Sequence, residues 1–196
     1  MLFIRCANHQ NTSGGGLQVS PFYFYLYGIV GVGLLFFLLR FISLYVLDFF
    51  VHNHLTMFIY LPAGVRLLAV SIFGWVGIFG ILLGWILCYL LMGEQTFLES
   101  IGLGLLSGAT AYLALWVWKW YYEIDNAFEK ITSRLVISLV FISALISALV
   151  RFLYLEIQNA ETIFMNIFVI GLTGDLLGSF LVLYAIKLVL VMKKAS

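Results

Sequence analysis

An all-α, polytopic bundle of transmembrane helices is the fold that this sequence predicts, and three observations carry the prediction. The chain is 64% hydrophobic and only 10% charged, with a mean hydropathy of +1.11, far more apolar than a soluble domain. Its apolar residues come in runs of about 20, the length a helix needs to cross a hydrocarbon core about 30 Å thick. Its Lys and Arg residues collect in alternate connections between those runs, as the positive-inside rule requires. With 196 residues, about six or seven spans fill the chain and leave no room for a folded soluble domain. A net charge of +1 argues against nucleic acid as a partner. The lipid bilayer is the partner that the composition demands.

Residues 1–20 contain Arg5 and a polar Asn-Thr-Ser-Gly-Gly-Gly stretch but no apolar signal-peptide core, so they read as a flexible cytoplasmic tail. Residues 21–192 form one transmembrane domain, and 193–196 a basic cytoplasmic C-terminus. The first span runs from Phe22 to about Tyr45 and is followed by a polar patch of Asp48, His52, Asn53 and His54. The second covers Thr56 to Phe73 and is broken or kinked at Pro62, which has no N–H to give. Gly74 separates it from the third, Trp75 to Leu91. After a Gly93-Glu94-Gln95 turn the fourth span runs from Phe97 to Trp118. It ends in Trp116, Trp118, Trp120, Tyr121 and Tyr122, rings suited to a membrane–water interface. Residues 123–134 form the longest and most charged loop. Spans five (Leu135 to Leu155) and six (Ile163 to Val191) complete the count.

Six spans put both termini on one side. If that side is the cytoplasm, Arg5, Lys119, Lys130, Arg134, Lys193 and Lys194 all fall in or beside cytoplasmic segments. The outer loops then hold Asp48, Glu94, Glu99, Glu156 and Glu161, with only Arg151 nearby. The expected location is a bacterial inner (plasma) membrane, crossed several times.

Arg66 falls in the middle of the second apolar run. A guanidinium stays protonated, and a charge at bilayer depth costs about 2.5–3.5 kcal/mol on insertion scales, so a partner is expected. Asp175, in the sixth run, is the candidate. Both spans run outside to inside, and both residues lie roughly 15–18 Å down at 1.5 Å per residue, near the midplane. An ion pair or shared polar cavity is predicted there, with Pro62, Gly64, Gly174 and Gly178 around it. Gly171, Gly174 and Gly178 would thin the helix beside Asp175 and leave space for a ligand or water. A purely structural lock between helices is an equally weighted reading of the pair.

Gly80-x-x-x-Gly84, Gly104-x-x-x-Gly108, Gly174-x-x-x-Gly178 and Ala144-x-x-x-Ala148 line helix faces that let backbones approach, and internal packing is the favoured reading over a dimer interface. The oligomeric state is not fixed by the sequence. Cys6 and Cys88 lie too far apart in kind of segment to predict a disulfide, and Cys88 reads as a small buried hydrophobe. Catalytic chemistry has no recognisable motif: there is no phosphate loop, His-Glu-x-x-His or Gly-x-Ser-x-Gly. His52 and His54 with Asp48 fall short of a metal set. No enzyme, no metal and no cofactor are therefore expected.

Leu61-Pro62-Ala63-Gly64-Val65-Arg66-Leu67-Leu68-Ala69, the Phe73-Gly74 turn, the glycines from Gly77 to Gly84, and Gly174-Asp175-Leu176-Leu177-Gly178 together resemble the membrane-associated sensor (MASE-type) integral domains of bacteria. The matched stretches cover about thirty of the 196 residues. The chain differs from that pattern in carrying Arg66 where those domains continue apolar, and in containing no kinase or cyclase output domain. The resemblance implies a sensing bundle whose signal passes to a separate signalling protein. A second resemblance, to the substrate-binding S-components of energy-coupling-factor vitamin transporters, implies a small-molecule transporter or transporter subunit. Those components carry an Ala-x-x-x-Ala motif in the first span, whereas here it lies in the fifth.

Overall fold

The computed structural model describes residues 21–46, 51–53, 56–57, 59–93, 96–123, 132–157 and 164–195. Six helices make up nearly all of this: α1 (Pro21–Phe41, continued by a π-helical turn, Ile42–Val46), α2 (Pro62–Phe73), α3 (Trp75–Met92), α4 (Phe97–Tyr122), α5 (Ser133–Ile157) and α6 (Phe164–Ala195). A short antiparallel pair, β1 (Val51–Asn53) and β2 (Thr56–Met57), joins α1 to α2. Five of the six helices are long and apolar enough to cross a membrane. The chain is an all-α, multi-pass membrane bundle.

The exception corrects the expected second span. Where an apolar helix from Thr56 to Phe73 with a break at Pro62 was expected, the helix begins at Pro62 and has 12 residues, about 18 Å at 1.5 Å per residue. The residues before it pair as strands or run irregularly. Proline is at home in the first turn of a helix, where its missing N–H is not needed, so it starts α2 rather than kinking it.

A helix this short cannot span the hydrocarbon core, and it does not face it. Eight of its twelve residues are buried, against 24–39% of the most apolar windows of the five long helices. It packs on all five of the others. The long helices pack in the order α1–α3–α4–α5–α6, and α2 packs inside that array against all five.

Close approaches fix the directions. Glycines on α3 seat α1: a side-chain carbon at Gly80 would lie 2.6 Å from Val32 and one at Gly84 2.7 Å from Phe36. Contact positions rise together along both helices, so α1 and α3 run parallel. Gly108 of α4 meets Ile78 and Gly104 meets Leu82, in antiparallel order. Gly64 of α2 meets Val182 and Gly178 of α6 meets Tyr60, again parallel. Successive helices therefore alternate, the hairpin and α2 together making one passage, and the described ends of α1 and α6 lie on the same face. The small-residue motifs serve this internal packing, with Ala144 and Ala148 buried.

Gly74 makes the α2–α3 reversal in one residue, with φ +60°, a conformation open to glycine at little cost. Gly77 then lies directly against the Ala69 carbonyl. At the start of α4, Thr96 and Glu99 form a reciprocal capping box. The aromatic end of α4 is not uniformly interfacial: Trp116, Trp120, Tyr121 and Tyr122 are exposed, but Trp118 is fully buried. Its indole N–H donates to the Leu135 carbonyl at 3.1 Å and to Ser138 Oγ at 2.9 Å, which ties α4 to α5. Cys88 is buried. The tail 1–20, Asp48, His54, Glu94, Glu161 and the loop residues 124–131 lie outside the described residues. α6 continues as helix through Ala195.

Candidate functional site

The backbone before α2 enters the protein interior, where each unpaired polar group would cost free energy. It is satisfied by neighbours. Tyr60 N–H donates to the Gly174 carbonyl at 3.1 Å, and Leu61 N–H donates to Ser43 Oγ, in the π-helical turn of α1, at 3.3 Å. Gly178 lies against the Tyr60 carbonyl, and a side-chain carbon at Gly64 would come within 2.6 Å of Val182. Gly178 thus makes room for the incoming chain, Gly64 makes room for Val182 of α6, and Gly174 supplies the backbone acceptor for Tyr60. The space beside Asp175 that was expected to hold a ligand or water is filled by the protein itself: by the Tyr60–Leu61 backbone at Gly178, and at Gly171 by the Arg151 guanidinium, 2.9 Å from where a side-chain carbon would stand. Thr173 turns its hydroxyl back to the Val169 and Ile170 carbonyls.

This docking carries Arg66, one turn into α2, to the centre of the bundle. Its Nη2 donates to Asp175 Oδ2 at 3.1 Å and to Ser147 Oγ at 2.7 Å, and its Nη1 to Ser107 Oγ at 3.4 Å. Arg66 and Asp175 are 4% and 1% exposed. Ser107 sits near the middle of α4, ten residues (about 15 Å) from its first residue. The expected pair is therefore formed, but it is not a pair alone. The second carboxylate oxygen of Asp175 accepts from Arg151 Nη2 at 3.2 Å. One acid on α6 holds two guanidiniums, from α2 and α5, and this triad has a formal charge of +1.

Arg151 was expected as an outer-edge charge. It lies six residues before the end of α5, with its guanidinium 5.5 Å from the Tyr60 ring centre. One sequence signal points to it: Ser143, Ser147 and Arg151 recur every four residues, placing a polar stripe on a single helix face. A third arginine, Arg40, stands in the last turn of α1. It is 2% exposed, and its guanidinium lies 4.2 Å from the Trp85 ring centre, within range for a cation–π contact.

These three arginines line a common cavity of about 50 Å³, together with Tyr60, Tyr154, Trp85 and the hydroxyls of Ser107, Thr110 and Ser147. Among the described lining residues there is no carboxylate. Arg66 Nε and Trp85 Nε1 are buried and, among the described residues, have no hydrogen-bond partner. Among the described residues no group of three metal-ligating side chains occurs. The arrangement is rich in donors and positive, suited to holding an electron-rich group.

Comparison with protein-family models, with curated proteins and with solved structures gives no match for this chain. Fold and site together define a multi-pass membrane protein with an ionic core.

Proposed function

We propose that this chain is a non-enzymatic signal-input bundle, a membrane sensor whose ionic core at Arg66, Asp175 and Arg151 reads a stimulus and passes it to a separate protein. The supporting observation is the shared carboxylate. Buried ion pairs contribute little net stability compared with apolar packing of the same volume, whereas intramembrane charge marks functional positions. A single acid on α6 links both α5 and the central helix, so whatever draws Arg66 from it loosens α2, and whatever draws Arg151 from it loosens α5. The motif resemblance to MASE-type domains points the same way. The membrane we propose is a bacterial inner membrane with both ends cytoplasmic; Lys119, Arg134 and Lys193, at the face where the described ends of α1 and α6 lie, support that sidedness.

One observation favours a second reading, that of a transporter or its substrate-binding subunit. α2 starts inside the bundle, as the discontinuous helices of midplane transport sites do. Mild-detergent purification from native membranes, followed by intact-complex mass spectrometry, separates the two. The sensor reading predicts a stoichiometric signalling partner. Recovery of the bundle alone, with solute uptake into proteoliposomes that is lost in Asp175→Asn, would replace it with the transporter.

A further inference from the structure

We propose that the ligand of this core is an anionic amphiphile: a carboxylate or phosphate head seated among the arginines, with its hydrocarbon chain in the adjoining apolar groove. The proposal rests on the sensing-site reading above and adds the chemical class of what is sensed.

The head site is built from donors. The triad has a formal charge of +1 before Arg40 is considered, and Arg40 has contacts of its own that leave it out of this count. The unpartnered Arg66 Nε belongs to a residue 4% exposed. A water needs about 10–15 Å³ of such space, so a cavity of about 50 Å³ has room for a few waters or one small oxyanion group. Guanidinium groups bind carboxylates and phosphates with shorter, stronger hydrogen bonds than neutral donors make. A whole metabolite would not fit, whereas the head of a longer molecule would.

The longer part has a place. A groove of about 870 Å³ runs along α4 from Leu105 to Trp116, about 16 Å of helix. Trp75 and Ile78 of α3 form one side of it and Val150 of α5 the other. Its volume lies within the usual range for ligand sites, about 300–1,000 Å³. It shares Leu106, Thr110 and Val150 with the arginine cavity, so the two spaces meet at a common wall. The head site lies nearer the N-terminal end of α4 than the groove. An amphiphile with its head at the cavity would then extend its chain from the middle of the bundle toward the C-terminal end of α4. Charge complementarity selects the occupant: a neutral or cationic lipid gains nothing from the net positive charge of the Arg66–Asp175–Arg151 triad.

Intact-protein mass spectrometry of the full chain, released from nanodiscs of zwitterionic phosphatidylcholine doped with phosphatidic acid or a long-chain fatty acid, tests this. We expect the doped anionic amphiphile to be retained about tenfold over its share of the bilayer, the size of effect that one charge-assisted hydrogen bond supplies. Leu113→Trp, at a 45% exposed groove position remote from the triad, should lower that enrichment by obstructing the path of the hydrocarbon chain, and Arg151→Gln should reduce it about tenfold. Equal retention of phosphatidylcholine, unchanged enrichment in Leu113→Trp, or displacement by inorganic phosphate or acetate at the concentration of the amphiphile would each overturn the proposal. Loss of enrichment with the signalling partner still bound would remove this ligand and leave the sensor reading in place. Loss of the partner with enrichment intact would do the reverse.

Discussion

Arg66 shows how much one side chain can organise when its shape is used fully. Its planar fork reaches Ser147, Ser107 and Asp175 on three different helices. A lysine has a single ammonium on a flexible stem and cannot reproduce that geometry. Arg66→Lys is therefore expected to destabilise the bundle by at least about 1.5 kcal/mol, the loss of one hydrogen bond to a charged group, measured as unfolding in a fixed detergent. Arg151→Lys should cost less, since the Arg151 side chain is 15% exposed and its ammonium can be hydrated. Equal losses would count against the central placing of Arg66. Arg66 and Asp175 were legible in the sequence because each interrupts an apolar run at a matching distance from its end. Arg151 was not, because a charge near the end of a run has water within reach by snorkelling. The one hint in the linear order is the four-residue recurrence of Ser143, Ser147 and Arg151, which puts it on a polar helix face.

Among the elements, α2 is where sequence and structure part. Hydropathy does not distinguish a helix surrounded by protein from one surrounded by lipid, since both need apolar side chains all round. Pro62 was visible, but a proline inside an apolar stretch reads equally as a kink or as a start. What decides is the partner of the preceding backbone, and that partner, Gly174 of α6, is more than a hundred residues away. The glycines then have different weights. Gly178→Ala sets a methyl group on the Tyr60 carbonyl, backbone that can move only by undocking the entry to α2, so a clear fall in thermal midpoint is expected. Gly31 has nothing within 4 Å of an added carbon, and Gly31→Ala should be neutral or gain up to about 1 kcal/mol from helix propensity. Thermal unfolding of both variants checks the contrast, and a stable Gly178→Ala protein would contradict this docking.

The whole molecule is an array of five long helices, each packed on the next, with a short one that contacts all five, and with alternate passages in opposite directions. That alternation was legible from Lys and Arg placement alone, because the positive-inside bias acts on each connection in turn. The central position of α2 was not, because it arises from contacts with every other helix. Topology gives a direct expectation for cysteine labelling in a Cys6→Ser, Cys88→Ala background. Lys193→Cys and Arg134→Cys should react with an impermeant maleimide only after permeabilisation, and Gln95→Cys should react in intact cells. Labelling of Lys193→Cys and Arg134→Cys from opposite sides would break the alternation.

The most direct test of the shared carboxylate is a set of double-mutant cycles among Arg66→Met, Arg151→Met and Asp175→Leu, by equilibrium unfolding in one lipid or detergent environment. Asp175 should show a favourable coupling of about 0.5–3 kcal/mol with each arginine, and each single loss of Arg66 or Asp175 should be among the most damaging changes in the chain, at about 3–5 kcal/mol. Additive effects for both cycles would mean that the three charges act separately, and the ionic core would not be a unit.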